Sequence, residues 1–375
     1  MDIKKLSSEQ KQKILFALKE RGIIGSTDTV EQRTFNKGEN FAYLQKFPPN
    51  FSRTEFVARP IPAMPSGKMV QVEVMAASLN FRDLMMAMNM YPSTPGVPSV
   101  MGSDYAGIVV SVGNEVTKYK AGDRVMVLAA GSFNPDYTID QESHFAKYLN
   151  VSENQVFFMS ENLSFTDAAG VPTVFITAYY ALMSIARIKE GETVLIHSAT
   201  GGVGMAAIEL CKYVGCKIFA TAGDNRKREI LRSMGIALVM DSRSTEFSSQ
   251  VMEYTKNKGV NVILNTLSGE SVVEGISILD FFGRFLDIDK KDIAANVSLP
   301  LGNFNKGLTF SAIDLALLVK NETLLGEIFY SLNKLFSEEK IHPVQTKIYP
   351  YHKLGEALNY MSRSKHVGKL VLDYG

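Results

Sequence analysis

The stretch ETVLIHSATGGVGMAAIEL, residues 192–210, decides the fold. Its first part is apolar, as expected of a buried strand, and its last part has helical periodicity. Between the two parts, Gly202, Gly204 and Ala207 form the pattern G-x-G-x-x-A. In this context small residues permit a tight turn, let the backbone approach a pyrophosphate, and allow the helix to pack on the strand. The sequence therefore predicts a dinucleotide-binding turn, and the alternative is a glycine-rich turn without a ligand.

The helix after this turn is expected to present free N–H groups and a positive dipole end to the phosphates of the cofactor. The backbone groups predicted to bind the cofactor here are those of Gly201, Gly202, Val203 and Gly204.

Strand-like and helix-like segments alternate on the C-terminal side of the turn. Strands are predicted over 216–222, 237–241, 261–267 and 283–288, and helices over 165–188, 226–235, 245–259 and 271–282. This alternation predicts an α/β fold with a Rossmann-type, doubly wound parallel sheet.

The flanking segments differ from this central region in their predicted secondary structure. Residues 41–165 contain short strand-like runs separated by turn residues, as in a small β-barrel, and residues 313–375 end on the strand-like run GKLVLDY. We expect 41–165 and 313–375 to form one split domain around a Rossmann domain at 166–312. Residues 1–40, with an amphipathic helix over 8–20, are predicted to be an N-terminal arm or linker.

Composition excludes several classes of protein. The 375 residues carry 40 basic and 39 acidic side chains, a balance that gives no reason to expect nucleic acid or a membrane surface as partner. No apolar run reaches the length of a membrane span, and the charged N-terminus does not resemble a secretory signal. Two cysteines, Cys211 and Cys216, exclude a disulfide framework and a multi-cysteine zinc site. They are interpreted as two buried side chains of one helical region, and a soluble, cytoplasmic protein is expected.

The segment after the second predicted strand indicates the type of dinucleotide. That strand ends on Ala222 without the carboxylate that would bind the ribose hydroxyls of NAD. Arg226, Lys227 and Arg228 follow and can pair with a 2′-phosphate, which favours NADPH. The alternative is that they are solvated cations on a surface helix, with Asp224 as its cap.

Five segments carry a resemblance to a known family. They are SLNFRDLMMAMNMYP (78–92), MGSDYAGIVVSVG (101–113), AGVPTVFITAYYAL (169–182), NVILNTLSGE (261–270) and MSRSKHVGKLVL (361–372). Together with the dinucleotide pattern they resemble the enoyl reductase domains of modular polyketide synthases and animal-type fatty acid synthases, in the zinc-free branch of the medium-chain dehydrogenase/reductase superfamily. The resemblance runs from about Val57 to Leu372.

The resemblance implies a GroES-like barrel split around a Rossmann domain, with NADPH as cofactor and no zinc. The implied reaction is hydride addition to the β-carbon of an α,β-unsaturated thioester on an acyl carrier protein. The implied partners are that carrier protein and neighbouring polyketide synthase domains. Four side chains within the region of resemblance are expected at the cofactor, namely Thr173, Asn265, Lys290 and Lys369.

The resemblance also implies candidate catalytic residues, each with a simpler alternative. Tyr91 is expected to deliver a proton to the α-carbon, or it merely precedes a proline at a loop edge. Lys227 corresponds to a lysine proposed as another proton donor, a role that competes with phosphate binding. Glu246 corresponds to its acidic partner, or it is an exposed helix residue. Asn80 is expected to contact nicotinamide or substrate, or it stabilises a turn.

Two departures from the family leave the reaction open. Phe282 and Asp289 stand where relatives have glycine, whereas Lys290 is retained. One alternative is reductive closure of a cyclopropane on a γ-halo enoyl thioester. Others are a quinone or small-enone reductase and a non-catalytic module that binds NADPH or docks a carrier.

Overall fold

The computed structural model describes residues 35–44, 51, 54–90, 100–129 and 144–375. The amphipathic helix expected over residues 8–20 lies outside these residues. The first half of the described chain contains β1 (Asn40–Leu44), β2 (Glu55–Arg59), β3 (Met69–Leu79), α1 (Phe81–Ala87), β4 (Asp104–Val112), β5 (Arg124–Leu128), β6 (Tyr148–Ser152), β7 (Val156–Phe158), α2 (Phe165–Ala169) and α3 (Pro172–Tyr179). A π-helical turn, Tyr180–Ile185, extends α3.

The middle of the chain alternates between strand and helix. It contains β8 (Thr193–Ile196), α4 (Gly202–Val214), β9 (Lys217–Ala222), α5 (Asn225–Ser233), β10 (Leu238–Asp241), α6 (Phe247–Tyr254), β11 (Val260–Asn265), α7 (Glu270–Ser277), β12 (Leu279–Asp287), α8 (Lys290–Ala294) and β13 (Thr309–Ala312). The six strands form a parallel sheet in the order β10-β9-β8-β11-β12-β13. The predicted α/β fold with a doubly wound parallel sheet is confirmed. The strand order reverses between β8 and β11, and such sheets bind ligands beside the carboxyl ends of the strands at this point.

The remaining elements return the chain to the first sheet. They are α9 (Leu315–Leu318), α10 (Glu322–Ser337), β14 (Thr346–Pro350), α11 (Leu354–Ser362) and β15 (Lys369–Asp373). Strand β15 pairs with β3, so that the second sheet has the order β14-β15-β3-β4-β5-β7, with β6 also on β3. This sheet therefore combines strands from both flanks of the parallel sheet.

One core cluster joins the two sheets. Ala76 and Met126 of the second sheet belong to the same buried cluster as Phe175 of α3 and Ile208 of α4. Because this core is continuous, the relative position of the two sheets is fixed by close packing. None of the helices in the described part of the chain has both the length and the hydrophobicity needed to cross a membrane.

Two details of the sequence interpretation are wrong. The helix expected over 271–282 ends at Ser277, and Leu279 pairs with Val260 as the first residue of β12. A short apolar run does not distinguish strand from helix, and burial of Leu279 beside Val260 favours the strand. Cys216 lies beyond the end of α4 and is partly exposed, because Gly215 terminates the helix with a φ of 85°.

Candidate active site

The glycine-rich turn, residues 199–204, connects β8 to α4 at the point where the strand order reverses. A Cβ atom on Gly204 would lie 2.6 Å from the Cα atom of Ala199. A Cβ atom on Gly202 would lie 2.8 Å from Val174 and 3.0 Å from Lys369. Glycine at 204 therefore allows α4 to approach the backbone of the turn, a role that the sequence interpretation assigned to the third small residue of the pattern.

The N-terminus of α4 is open to a ligand. Gly201 is the N-cap residue and supplies no capping side chain, so the first N–H groups of the helix, including that of Val203, are not capped by it. Gly201 also forms a bridge with Gly368, whose N–H donates to the carbonyl oxygen of Thr200 at 2.9 Å. The turn is thereby attached to the second sheet just before β15.

A group of cations lies beyond the end of β9. The side chain of Asp224 accepts a hydrogen bond from the backbone N–H of Lys227 at 2.9 Å and so caps α5, as the alternative interpretation expected. Burial lowers the pKa of Lys227, and the positive charges of Arg226 and Arg243 act in the same direction. Arg243 Nε lies 3.2 Å from the position that a Cβ atom on Gly223 would occupy. Arg226, Lys227 and Arg243, here called the cation group, therefore surround the position where a ribose would follow the strand.

Arg228 has a different environment from the cation group. Its guanidinium forms a 2.8 Å ion pair with Asp241 and donates to the carbonyl oxygen of Ala222 at 3.0 Å. It also contacts the side-chain oxygen of Asn225. These internal contacts brace β9 against β10, and the cofactor contact of Arg228 stays a prediction.

Four polar residues meet beneath the glycine-rich turn and form what we call the junction cluster. Lys369 Nζ donates to Asn80 Oδ1 at 2.6 Å and lies 3.3 Å from Asp104 Oδ2. Asp104 Oδ1 accepts from the hydroxyl of Thr173 at 2.6 Å and from its backbone N–H at 3.2 Å. Asn80 Nδ2 donates to Asp104 Oδ2 at 3.0 Å. Residues from distant parts of the chain are thus held in one hydrogen-bonded network.

The junction cluster contains a buried ion pair. The side chains of Lys369 and Asp104 are 3% and 0% exposed. Burial lowers the pKa of Lys369, whereas Asp104 and Asp83 act to raise it. The ammonium group has three donors, and within the described residues its two side-chain acceptors are Asn80 and Asp104, so one donor can serve a bound oxygen.

Asp83 supports the junction cluster from α1. Its carboxylate accepts from the backbone N–H groups of Asn80 at 2.7 Å and Gly102 at 2.8 Å. Burial raises the pKa of Asp83, whereas these two hydrogen bonds act to lower it. The NFRD segment therefore fixes Asn80 in a capping box at the start of α1, where Asn80 Oδ1 also accepts from Lys369 Nζ.

His366 lies between the junction cluster and the cation group. Its pKa is lowered to about 4 by burial and by the charges of Lys227 and Lys369. The backbone carbonyl of the preceding residue, Lys365, accepts from Arg226 Nη1 at 3.1 Å. His366 is therefore close to both Lys369 of the junction cluster and Lys227 of the cation group.

The remaining predicted cofactor residues lie at the ends of β11 and β12. Asn265 is buried, and its amide donates to Asp287 Oδ1 at 2.9 Å and to the Leu267 carbonyl at 2.7 Å. Burial raises the pKa of Asp287 to about 6. Lys290 is about half exposed and forms a 2.5 Å ion pair with Asp314. Asn265 therefore braces the strand ends internally, and the structure does not bring Lys290 into the junction cluster.

Two predicted catalytic residues need separate statements. Tyr91 lies outside the described residues. Glu246 is exposed at the N-cap position of α6, in agreement with the alternative interpretation of an exposed helix residue.

Sequence reasoning missed Asp104, Arg243 and His366. Asp104 had a visible signal, since a carboxylate in the apolar strand DYAGIVVSV must find a buried partner. Arg243 and His366 had none, because each lies in a loop that only the packing of the fold brings close to Lys227. Among the described residues there is no group of three or more His, Cys, Asp or Glu side chains that could hold a metal ion.

Comparison with known proteins extends these observations. Residues 66–161 match the family described as alcohol dehydrogenase GroES-like domain, and residues 202–338 match the zinc-binding dehydrogenase family. The chain is 38% identical over 309 residues to phthioceranic/hydroxyphthioceranic acid synthase of Mycobacterium tuberculosis, an alignment that covers 82% of this chain. It is 37% identical over 305 residues, 81% of this chain, to the mycocerosic acid synthase-like polyketide synthase of the same organism. The chain spans only 14% of the length of each of these relatives.

Solved structures resemble nearly the whole chain. JamJ enoyl reductase superposes with a TM-score of 0.78 at 30% identity, covering 90% of this chain and 99% of that one. The CurF ER cyclopropanase from the curacin A biosynthetic pathway superposes with a TM-score of 0.78 at 27% identity, covering 89% and 99%. The GroES-like character expected of the second domain is confirmed by these matches.

Proposed function

The chain belongs to the enoyl reductase family of polyketide synthases, within the medium-chain dehydrogenase/reductase superfamily, and from this premise we propose that it reduces an α,β-unsaturated thioester with NADPH. The thioester is carried by an acyl carrier protein, and the other partners are neighbouring synthase domains. The likeness to JamJ enoyl reductase and to the mycobacterial synthases supports this assignment.

The observation that carries the proposal is the position of the Lys369–Asp104 ion pair directly beneath the glycine-rich turn. The turn itself fits a dinucleotide, because its glycines leave no side chain over the open N-terminus of α4. We propose that the backbone of Gly201–Gly204 and the free donor of Lys369 hold the pyrophosphate and its neighbouring oxygens. When bound, the cofactor supplies a hydride.

NADPH is favoured over NADH by the cation group. Among the described residues, the carboxylates beside this group are already engaged, because Asp224 caps α5 and Asp241 pairs with Arg228 and accepts from the backbone N–H of Arg243. A 2′-phosphate would bind such a group through charge-assisted hydrogen bonds. Lys227 is already close to two other cations, and we therefore assign it to phosphate binding rather than to proton delivery.

The residues of this chain have two tasks at the thioester. Hydride addition at the β-carbon places negative charge on the thioester oxygen, which hydrogen-bond donors beside that oxygen must stabilise. Asp104, Thr173 and Asn80 keep the Lys369 ammonium in place against the cofactor. The α-carbon then needs a proton, for which Tyr91 remains our proposed donor.

Reductive ring closure is a second candidate, favoured by the likeness to the CurF cyclopropanase. On a γ-halo enoyl thioester, the electron pair left at the α-carbon by hydride addition would form a bond to the γ-carbon and expel halide. No α-proton is consumed, so this outcome depends on the substrate and on the absence of fast protonation.

The reaction is tested with the purified full chain, NADPH and a crotonyl thioester on a carrier protein, following the absorbance of the reduced cofactor. We expect NADPH oxidation with formation of the saturated thioester. Turnover of a small quinone but not of the thioester would refute the substrate assignment. Tight NADPH binding without any turnover would indicate a non-catalytic module. A γ-chloro enoyl thioester, with product analysis by mass spectrometry, separates reduction from ring closure.

Cofactor choice is tested with Arg243→Ala. Losing one charged phosphate contact costs about 1.5–3 kcal/mol, which is a loss of about 10- to 100-fold in NADPH affinity. NADH affinity should not change. Arg232→Ala is the matched control, because Arg232 lies on α5 and, among the ion pairs of the described residues, pairs only with the exposed Glu229. Equal effects of Arg243→Ala on both cofactors would contradict the assignment.

A further inference from the structure

The two cysteines of the chain meet at the C-terminal end of α4. After Val214, Gly215 adopts a left-handed conformation with φ 85° and ψ 30°. The N–H of Gly215 donates to the carbonyl oxygen of Cys211 at 3.1 Å, and the N–H of Cys216 donates to the same oxygen at 2.9 Å. In such a helix end, the second residue after the helix packs against the residue whose carbonyl it binds. Here both of these residues are cysteines.

The two thiols influence each other. Interaction with Cys216 raises the pKa of Cys211, and interaction with Cys211 lowers the pKa of Cys216. Cys216 Sγ also lies 3.4 Å from the carbonyl oxygen of Lys189. The hydrogen bond from the Cys216 N–H to the Cys211 carbonyl oxygen holds the two residues side by side, as a disulfide between them requires.

The two thiols differ in their access to solvent. Cys211 is 0% exposed, whereas Cys216 is partly exposed at the start of the segment leading into β9. A small oxidant can therefore reach Cys216, while Cys211 is accessible only to its neighbour.

The surroundings of Cys216 favour its thiolate. The hydrogen bond from Cys211 lowers the pKa of Cys216, while burial and the carboxylate of Glu192 oppose this. The guanidinium of Arg284 acts in the same direction as Cys211, and it is held nearby by a 2.6 Å ion pair with Glu192. Thiolate character and access together determine which cysteines react with peroxides.

We propose that Cys216 and Cys211 form a peroxide-sensitive redox pair that closes to an intramolecular disulfide. The Cys216 thiolate attacks a hydroperoxide, the O–O bond breaks, and hydroxide or alkoxide leaves, so that Cys216 becomes a sulfenic acid. The Cys211 thiol then attacks this sulfur, an S–S bond forms, and water leaves. Thiol exchange with a dithiol reverses the reaction.

The test uses the full chain, whose two cysteines make the thiol count unambiguous. Reduced protein is treated with hydrogen peroxide, the peroxide is removed with catalase, and thiols are counted after denaturation. We expect the count to fall from two to zero, with a mass lower by two hydrogens and full recovery on adding dithiothreitol. Retention of both thiols, or loss through disulfide-linked dimers, would overturn the proposal.

Two serine variants separate the roles of the cysteines. In Cys211→Ser, Cys216 should still be oxidised, and its sulfenic acid should accumulate and be trapped by dimedone. In Cys216→Ser, the buried Cys211 should keep its thiol under the same treatment. Circular dichroism confirms that both variants are folded. If Cys211 in the Cys216→Ser variant were oxidised as fast as the wild type loses its thiols, the assigned order of oxidation would be refuted.

Discussion

Removing the negative charge of Asp104 tests whether the junction cluster depends on a buried ion pair. Asp104→Asn keeps an oxygen for Thr173 but leaves the Lys369 ammonium, 3% exposed, without its counter-charge. At an effective dielectric constant of about 20, unit charges 3.3 Å apart attract by about 5 kcal/mol. Breaking a buried pair by removing one partner costs about 3–5 kcal/mol. We therefore expect the free energy of unfolding at pH 7 to fall by about 3–5 kcal/mol.

The same substitution predicts a dependence on pH. Asp104 acts to raise the pKa of Lys369, so its removal lowers that pKa further below the unfolded value. Between the folded and unfolded pKa values the unfolded chain binds more protons, and stability rises with pH. The stability difference between Asp104→Asn and the wild type should therefore shrink as pH rises, because the neutral amine of Lys369 needs no counter-charge.

Urea unfolding followed by far-ultraviolet circular dichroism measures these changes, since the chain has no tryptophan. The control is the double variant Asp104→Asn/Lys369→Met, which removes both charges and should recover most of the lost stability. A loss of less than about 0.5 kcal/mol for Asp104→Asn, the size expected of an ordinary surface substitution, would refute the reasoning. The reasoning would also be refuted if the double variant lost as much unfolding free energy as the two single variants lose together.

Three further predictions concern other parts of the site. Gly204→Val should abolish NADPH binding and lower the melting temperature, since its Cβ would lie 2.6 Å from Ala199; normal affinity, measured by calorimetry, would place the cofactor elsewhere. Tyr91→Phe should slow enoyl reduction by about 10²–10⁴-fold and leave ring closure of a γ-chloro substrate unchanged; unchanged rate and product stereochemistry with an α-methyl substrate would remove Tyr91 from the mechanism. Asp287→Asn should match the wild type near pH 4 and exceed its unfolding free energy by up to about 3 kcal/mol at pH 7.5. The raised pKa of Asp287, about 6, makes the folded state bind more protons than the unfolded chain between these pH values, so wild-type stability falls as pH rises; a constant difference in urea melts at both pH values would contradict this.

Local sequence patterns predicted the parallel sheet well. Each βα unit is built from neighbouring residues, and both the glycine pattern and the cap at Asp224 act within one turn of helix. The error at Leu279 arose because its partner is not local. Leu279 begins a strand by pairing with Val260, which lies earlier in the chain. Periodicity contains no information about such partners.

The candidate site was predicted only in part for the same reason. Asn80, Thr173 and Lys369 were each expected from separate segments, but the carboxylate that connects them, Asp104, was not. The cations after β9 show the same limit. Arg226, Lys227 and Arg228 are adjacent in the sequence, but Arg228 pairs with Asp241, and Arg243 from the following loop lies beside Gly223. Neither contact can be recognised from neighbouring residues alone.

The pairing of β15 with β3 has a consequence for the order of events during synthesis. Lys369 reaches Asn80 across 289 residues of sequence, and its strand lies inside the second sheet between β14 and β3. When the strands from β3 to β7 have left the ribosome, the position of β15 beside β3 is therefore still empty. At that stage Asp104 lacks the ammonium of Lys369 as its partner. Contacts of such long range form late and slowly. The parallel sheet can therefore fold while translation continues, but the junction cluster can form only after residue 369 has left the ribosome. Until then the part of the β3 edge that pairs with β15, Ala76–Leu79, is open to chaperones and to aggregation, whereas β6 covers Met69–Glu73.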